Sequence, residues 1–395
     1  MRKLAGYIIL IFGIFSCTEP YKLETDTFED ALVIEATITN ELKHQEIYLS
    51  RTFRLEENGP TFEQGATVSI EGNDGSTYLF EELNQKYISI DEFQPIQNVL
   101  YTLKIQTSDG KNYASTPEKL TTVNPIEEIN AIVKTKLGVR GVEIAANSFD
   151  PTDTSKYYRF TYEETYKVIV PKWSPNKAVV SSNGLQILIQ LRDDPETRIC
   201  YKTNLSNEII ITSTNDLTED RIINFPIKFI PQEDYSIANR YSVLVKQYIQ
   251  NQAAYNYYKT LKNLSGSGSI LSQNQPGFFY GNIKNTSNES EKIIGFFDLS
   301  TVSSKRIFFN YEDLFPGELF PDYFEECNER EFDSSVDGPE HANDGFTALK
   351  SYITSNRLIF YQVNGTIYKM VKPVCGDCTT FASNVTPDFW EWKKL

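Results

Sequence analysis

Apolar and polar residues alternate through much of the chain. Leu32, Ile34, Ala36 and Ile38 interleave with Glu35, Thr37 and Thr39, the period of two expected of a strand with one buried face. Paired strands follow. Thr67 to Glu71 and Thr77 to Phe80 flank Gly72-Asn73-Asp74-Gly75, and Tyr101 to Thr107 and Asn112 to Ser115 flank Ser108-Asp109-Gly110. Asp-Gly turns supply the positive φ that tight hairpins require. Short strands with such turns over residues 30–124 predict an immunoglobulin-like β-sandwich, closed off by Pro117 and Pro125.

A larger β-rich block is expected over 125–395. Its strand candidates include Tyr157 to Val170, Glu208 to Thr212, Ile222 to Ile230 and Tyr241 to Ile249. Leu358 to Val363 and Thr366 to Val371 flank Asn364-Gly365, the strongest hairpin signal in the chain. One helix interrupts the strands: Asn251 caps it, Ala254, Tyr255, Tyr258 and Leu261 share a face, and Ser265-Gly266-Ser267-Gly268 ends it. A shorter helix is predicted from Thr386-Pro387, carrying Phe389, Trp390 and Trp392. The fold class is therefore mainly β, with one or two short helices.

The N-terminus changes the picture. Arg2 and Lys3 precede an apolar run from Leu4 to Phe15 that is shorter than the roughly 20 residues of a spanning helix. Ile14-Phe15-Ser16-Cys17 then places a cysteine at the expected cut. The reading is a lipoprotein signal over 1–16, with Cys17 acylated, holding the protein to a lipid bilayer, and a polar tether over 17–29. Phe15 departs from the small or hydroxylated residue usual at that position. Thr18 provides no inner-membrane retention signal of the Asp type, which points to the outer membrane, with the face left open.

Charge and chemistry narrow the function classes. A net charge of -15, made more negative by loss of Arg2 and Lys3, argues against a nucleic-acid partner. The 24 Tyr and 25 Phe suit β-structure and also suit a binding face, for which Trp173, Phe278 and Phe279 are candidates. Beyond Cys17, the four cysteines Cys200, Cys327, Cys375 and Cys378 predict two disulfides in an oxidising compartment. Three pairings are open; the favoured ones tie Cys375-Gly376-Asp377-Cys378 back to Cys200 and Cys327, since joining Cys375 to Cys378 closes too small a loop. A zinc or thioredoxin-type role for that motif lacks the other ligands and the strand-helix setting.

Only two histidines, His44 and His341, are present, and no Gly-x-Ser-x-Gly elbow occurs. The acidic stretch between Pro321 and Asp344 reads as a solvated loop, with calcium as the alternative. No cofactor and no catalytic residues are assigned. The leading expectation is a binding protein, against two rivals: a surface hydrolase using carboxylates, and a structural or adhesive surface lipoprotein.

Several short motifs occur in a particular order. They are Leu32-Val33-Ile34-Glu35-Ala36, Gln275-Pro276 before Gly281-Asn282-Ile283, Gly295-Phe296-Phe297, and Cys375-Gly376-Asp377-Cys378 with Asn384 and Pro387-Asp388-Phe389-Trp390. Together they resemble the Bacteroidota lipoproteins of the domain-of-unknown-function 4249 family along essentially the whole mature chain. Ala382 and Ser383 stand where that family commonly has two glycines. The resemblance implies a disulfide-bearing, β-rich lipoprotein, a companion of a TonB-dependent outer-membrane transporter whose ligand is unknown.

Overall fold

The computed structural model describes residues 30–54, 59–193, 196–266 and 280–390. The signal, Cys17, the tether, Phe278 and Phe279 lie outside them. The protein is mainly β, as its alternating pattern leads one to expect.

The first stretch comprises β1 (Leu32–Thr39), β2 (Glu46–Arg51), β3 (Thr61–Phe62), β4 (Thr67–Gly72), β5 (Thr77–Leu83), β6 (Lys86–Ser89), β7 (Leu100–Gln106), β8 (Asn112–Ser115) and β9 (Glu118–Lys119). Longer strands follow: β10 (Ile126–Lys136), β11 (Val139–Phe149), β12 (Tyr157–Ile169), β13 (Asn176–Val180), β14 (Ile187–Leu191), β15 (Ile199–Leu205), β16 (Ile210–Ser213), β17 (Arg221–Pro231) and β18 (Arg240–Gln250). Helix α1 (Gln252–Gly266) comes next, then β19 (Ile283–Asn285), β20 (Ile293–Asn310), β21 (Arg330–Asp333), a helix over Phe346–Thr354, β22 (Ile359–Asn364) and β23 (Ile367–Val371).

A sheet of 15 strands runs β15-β12-β18-β20-β1-β2-β6-β5-β4-β7-β8-β19, with β3, β9 and β16 paired alongside. Its first core takes Leu32, Ile34, Ala36 and Ile38 from β1 and Tyr101, Leu103 and Ile105 from β7, the alternate positions of each strand. Ile283, Ile293, Phe297 and Leu299 join them from far downstream. The first core thus draws on residues beyond 30–124, and β1 pairs on its second edge as well. Its partner there is β20, in a parallel pairing from Leu32↔Ile293 to Thr39↔Ser300.

Two glycines make that junction possible. Gly295 is the register partner of Ile34, where a Cβ would come 2.4 Å from the Ile34 carbonyl oxygen. At Gly281 a Cβ would fall 1.5 Å from the Gly295 carbonyl oxygen. The motifs at 32–36, 281–283 and 295–297 therefore converge on one place. Asn282 clasps it: its side chain accepts from the Phe297 N–H at 2.8 Å and donates to the Phe297 carbonyl at 2.9 Å.

The second core lies between the β10-β11-β17 sheet and the β12-β18-β20 part of the large sheet. Val142 and Ile144 meet Tyr158, Phe160, Tyr241 and Val243 there. A third, smaller core packs the helix over Phe346–Thr354 on the β21-β23-β22 sheet through Leu349, Phe332 and Met370.

Two disulfides, Cys200–Cys378 and Cys327–Cys375, bind the C-terminal segment back to the body, as the sequence reading favoured. The acidic stretch before Asp344 supplies ion pairs: Glu329 meets Lys172 at 2.6 Å and Lys369 at 2.8 Å, and Glu325 meets Lys372 at 2.5 Å. The helix expected from Thr386 does not form within the described residues. Residues 387–390 make a turn, with the Trp390 N–H donating to the Pro387 carbonyl at 2.9 Å. Adjacent helical residues point in different directions. Here Phe389 lies over Arg306 while Trp390 packs on Tyr201 and Phe308, so both rings reach the sheet. Trp392 lies outside the described residues.

Candidate ligand-binding cleft

A cavity of about 1290 Å³ opens where the two large cores meet. One wall is the outer face of β1 and the start of β2, with Val33, Glu35, Thr37, Lys43, His44 and Tyr48. The opposite wall runs from Asn207 to Ile211 and over Phe225, Pro226 and Ile227. Five consecutive lining residues at 207–211 mean that the chain meets the cleft edge-on. Helix α1 closes one side with Tyr257, Tyr258 and Leu261, against Ile294 and Phe296 of β20.

Local sequence explains the placing of α1. Asn251 Oδ1 accepts from the Ala254 N–H at 2.8 Å, the capping expected from sequence. The buried face is Ala254 and Tyr257, with Tyr258 and Leu261 beside them on Phe296, while the Tyr255 ring lies tilted against that of Tyr157. Tyr257 and Phe296 have ring centroids 5.4 Å apart.

Arg159 stands on β12 opposite Tyr248 of β18, on the face turned away from the second core. Its guanidinium lies 4.3 Å from the Tyr248 ring centre and 4.7 Å from that of Tyr258. Nη2 donates to Thr37 Oγ1 at 3.3 Å, while Nε is cut off from solvent with no acceptor. Burial works against its charge, yet Tyr258, Asp298 and Tyr248 together raise its pKa.

Asp298 is fully buried on β20 and burial pushes its pKa up, against the opposing pull of Arg159 and hydrogen bonds from Gln250 at 3.1 Å and Ser300 at 2.8 Å. Glu46 behaves oppositely. Burial opposes its charge, but Lys86 at 2.6 Å and the Tyr48 hydroxyl at 3.0 Å carry its pKa below the usual value. His44 Nδ1 faces the Ser89 carbonyl at 2.8 Å, which makes Nδ1 the protonated donor.

The residues singled out from sequence fall elsewhere. Trp173 is half-buried; its Nε1 donates to Thr197 Oγ1 at 3.1 Å, and its ring packs on the cluster around Cys200 and Cys378. Phe278, Phe279 and Cys17 lie outside the described residues. Sequence reasoning missed Arg159, Tyr248, Phe225 and Tyr257. A cation set within Tyr157-Tyr158-Arg159-Phe160 is the one local signal that pointed to the cleft.

Among the described residues no helix is long and apolar enough to cross a membrane, and no group of three or more His, Cys, Asp or Glu side chains is arranged to hold a metal.

Fold and cleft together define a β-rich protein with an aromatic-lined cavity at the junction of two cores. The model of the family described as a domain of unknown function, DUF4249, matches residues 18–306, and the chain belongs to that family. A search of the curated proteins finds no match to it.

Proposed function

We propose that the protein is an outer-membrane lipoprotein, anchored through Cys17, that binds a ligand in the cleft as a non-catalytic accessory of a TonB-dependent transporter. The observation that carries the reading is the cleft itself. Its volume is at or above the upper end of small-molecule sites, roughly 300–1,000 Å³. Its lining mixes apolar and aromatic side chains with charged and polar ones, Glu35, Lys43, Glu46 and Arg159 among them. Lys86 and Tyr48 hold the Glu46 carboxyl below its usual pKa, which makes this group a poor proton donor to a leaving group.

Detergent solubilisation of outer membranes, with purification on a tag placed at the C-terminus, tests the assignment. Wild type is expected to bring down a transporter at near-stoichiometric yield and to incorporate an alkyne-labelled fatty acid that Cys17→Ala does not take up. Recovery of the lipoprotein alone, or equal labelling of both forms, overturns it.

A further inference from the structure

We propose that the cleft takes a ligand bearing a single carboxylate beside an apolar body, and that Arg159 receives the anion. This inference rests on the cleft being a binding site and adds the chemistry of its occupant. The guanidinium of Arg159 is held between two tyrosine rings, which offer it their faces and leave most of its donors uncommitted.

Several of the protein's shielded arginines are neutralised, and Arg240, whose Nε is likewise buried without an acceptor, lies over Phe308 and does not line the cleft. Arg51, Arg192 and Arg306 reach Glu63, Asp377 and Glu163 at 2.6, 2.8 and 2.8 Å. Arg159 has no carboxylate within ion-pair distance among the described residues, and one of its nitrogens is buried without an acceptor. Asp298, the acid that acts on it from farther off, makes no direct ion pair with it. A cation taken out of water without a partner is costly, and an anion presenting two oxygens to the guanidinium fork offsets that cost.

The rest of the cleft selects among anions. Ile209, Ile211, Phe225 and Phe296 give an apolar body a surface to lie on. Glu35, Glu46 and Glu208 offset the cations Lys43, Arg159 and Lys262 along the walls, so a singly charged carboxylate suits the lining better than a doubly charged phosphate monoester.

The test is calorimetric titration of the folded, lipid-free chain with 4-phenylbutyrate, its neutral amide 4-phenylbutyramide, and 4-phenylbutyl phosphate. The acid is expected to bind about ten- to a hundred-fold more tightly than the amide, as hydrogen bonds to a charged partner allow, and more tightly than the phosphate. Arg159→Gln is expected to bring acid and amide to the same affinity, and Arg159→Lys to restore part of the difference. Equal binding of acid and amide by wild type overturns the proposal and leaves the cleft standing as a neutral site. Tighter binding of the phosphate overturns the choice of carboxylate. Failure of all three probes overturns the proposal and the reading of the cleft together. The wild-type comparison needs no variant, so a misfolded Arg159→Gln leaves the test intact.

Discussion

Gly281→Ala adds one methyl group and is expected to be among the most damaging substitutions in the protein. The new Cβ would sit 1.5 Å from the Gly295 carbonyl oxygen and 2.7 Å from its carbon. Unbonded carbon and oxygen come no closer than about 3.3 Å, so one backbone must retreat by roughly 2 Å. Gly295 has nowhere to go, because its own Cα faces the Ile34 carbonyl across the parallel pairing. Residue 281 must therefore move and pull Asn282 with it. Asn282 holds Phe297 by two hydrogen bonds, Glu118 Oε1 by a third at 2.9 Å, and accepts from the Thr116 N–H at 2.8 Å through its own carbonyl. At about 1 kcal/mol for each bond lost, and about 1–3 kcal/mol for a buried group left unsatisfied, the cost comes to roughly 3–5 kcal/mol.

Urea unfolding followed by circular dichroism measures that cost, and hydrogen exchange of peptides from β1 and the first half of β20 locates it. Asn282→Ala removes the clasp without the clash and should cost somewhat less. The double variant should be no worse than Gly281→Ala alone, since both act through the same bonds. A Gly281→Ala protein within about 1 kcal/mol of wild type, or a double variant equal to the sum of the singles, would refute the reasoning.

Three further outcomes follow from the same geometry. Replacing Cys200 and Cys378 by alanine opens a link between residues 178 apart. It is expected to lower stability by at most about 5 kcal/mol on the chain-entropy estimate, and an unchanged urea midpoint would count against it. Asp150 accepts from the N–H and hydroxyl groups of Thr152 and Thr154 and from the Ser155 N–H, and these bonds hold its pKa well below the usual carboxylate range despite burial. Its stabilisation is present above the ordinary Asp value and lost as pH falls toward the depressed one, so Asp150→Asn should unfold at acid pH with a shallower dependence than wild type. Asp298 has the opposite sign: its folded form holds the proton more tightly, so stability falls as pH rises from the ordinary Asp value through the raised one. Thermal melts of Asp298→Asn across that window should be flat and, at neutral pH, higher than those of wild type; an identical profile would show that the group is ionised at no cost.

The elements that could be read from sequence were those whose pattern is local. The alternation of Leu32 to Ile38 gave β1, and Gly75 and Gly110 take φ of 90° and 85° in the two hairpin turns that Asp-Gly suggested. Asn251 caps α1 for the reason any Asn does. What stayed hidden depends on residues far apart. In β20 the stretch Ser300-Thr301-Val302-Ser303-Ser304-Lys305-Arg306 breaks the apolar alternation. There the strand leaves the first core, served by Phe297 and Leu299, and enters the second, served by Phe309, so no single period covers it. Its parallel pairing with β1 joins residues about 260 apart, and no turn signal announces such a contact. The cleft inherits that difficulty. Thr37, Arg159, Tyr248 and Tyr258 come from four elements, and each alone reads as an ordinary strand or helix residue.

The double pairing of β1 links stability to binding and separates the two kinds of variant. Ile34 faces Leu49 on β2 and Gly295 on β20, so the register of β1 is fixed from both edges. Its even positions fill the first core, and Val33, Glu35, Thr37 and Thr39 face the cleft. A slip of one residue would exchange those faces, sending Glu35 into the core and Ile34 into the cleft. The contacts at Gly281 and Gly295 that hold β20 on β1 therefore also set Thr37 beside Arg159 and Phe296 beneath Tyr257. Gly281→Ala should then weaken the binding of 4-phenylbutyrate under conditions where the protein is still folded. The disulfides anchor the C-terminal segment, and none of residues 297–390 lines the cleft. The Cys200→Ala, Cys378→Ala protein should consequently lose stability yet bind the acid with wild-type affinity. A parallel loss of affinity in that variant would mean that the cleft is shaped by the whole fold and not by the β1–β20 junction.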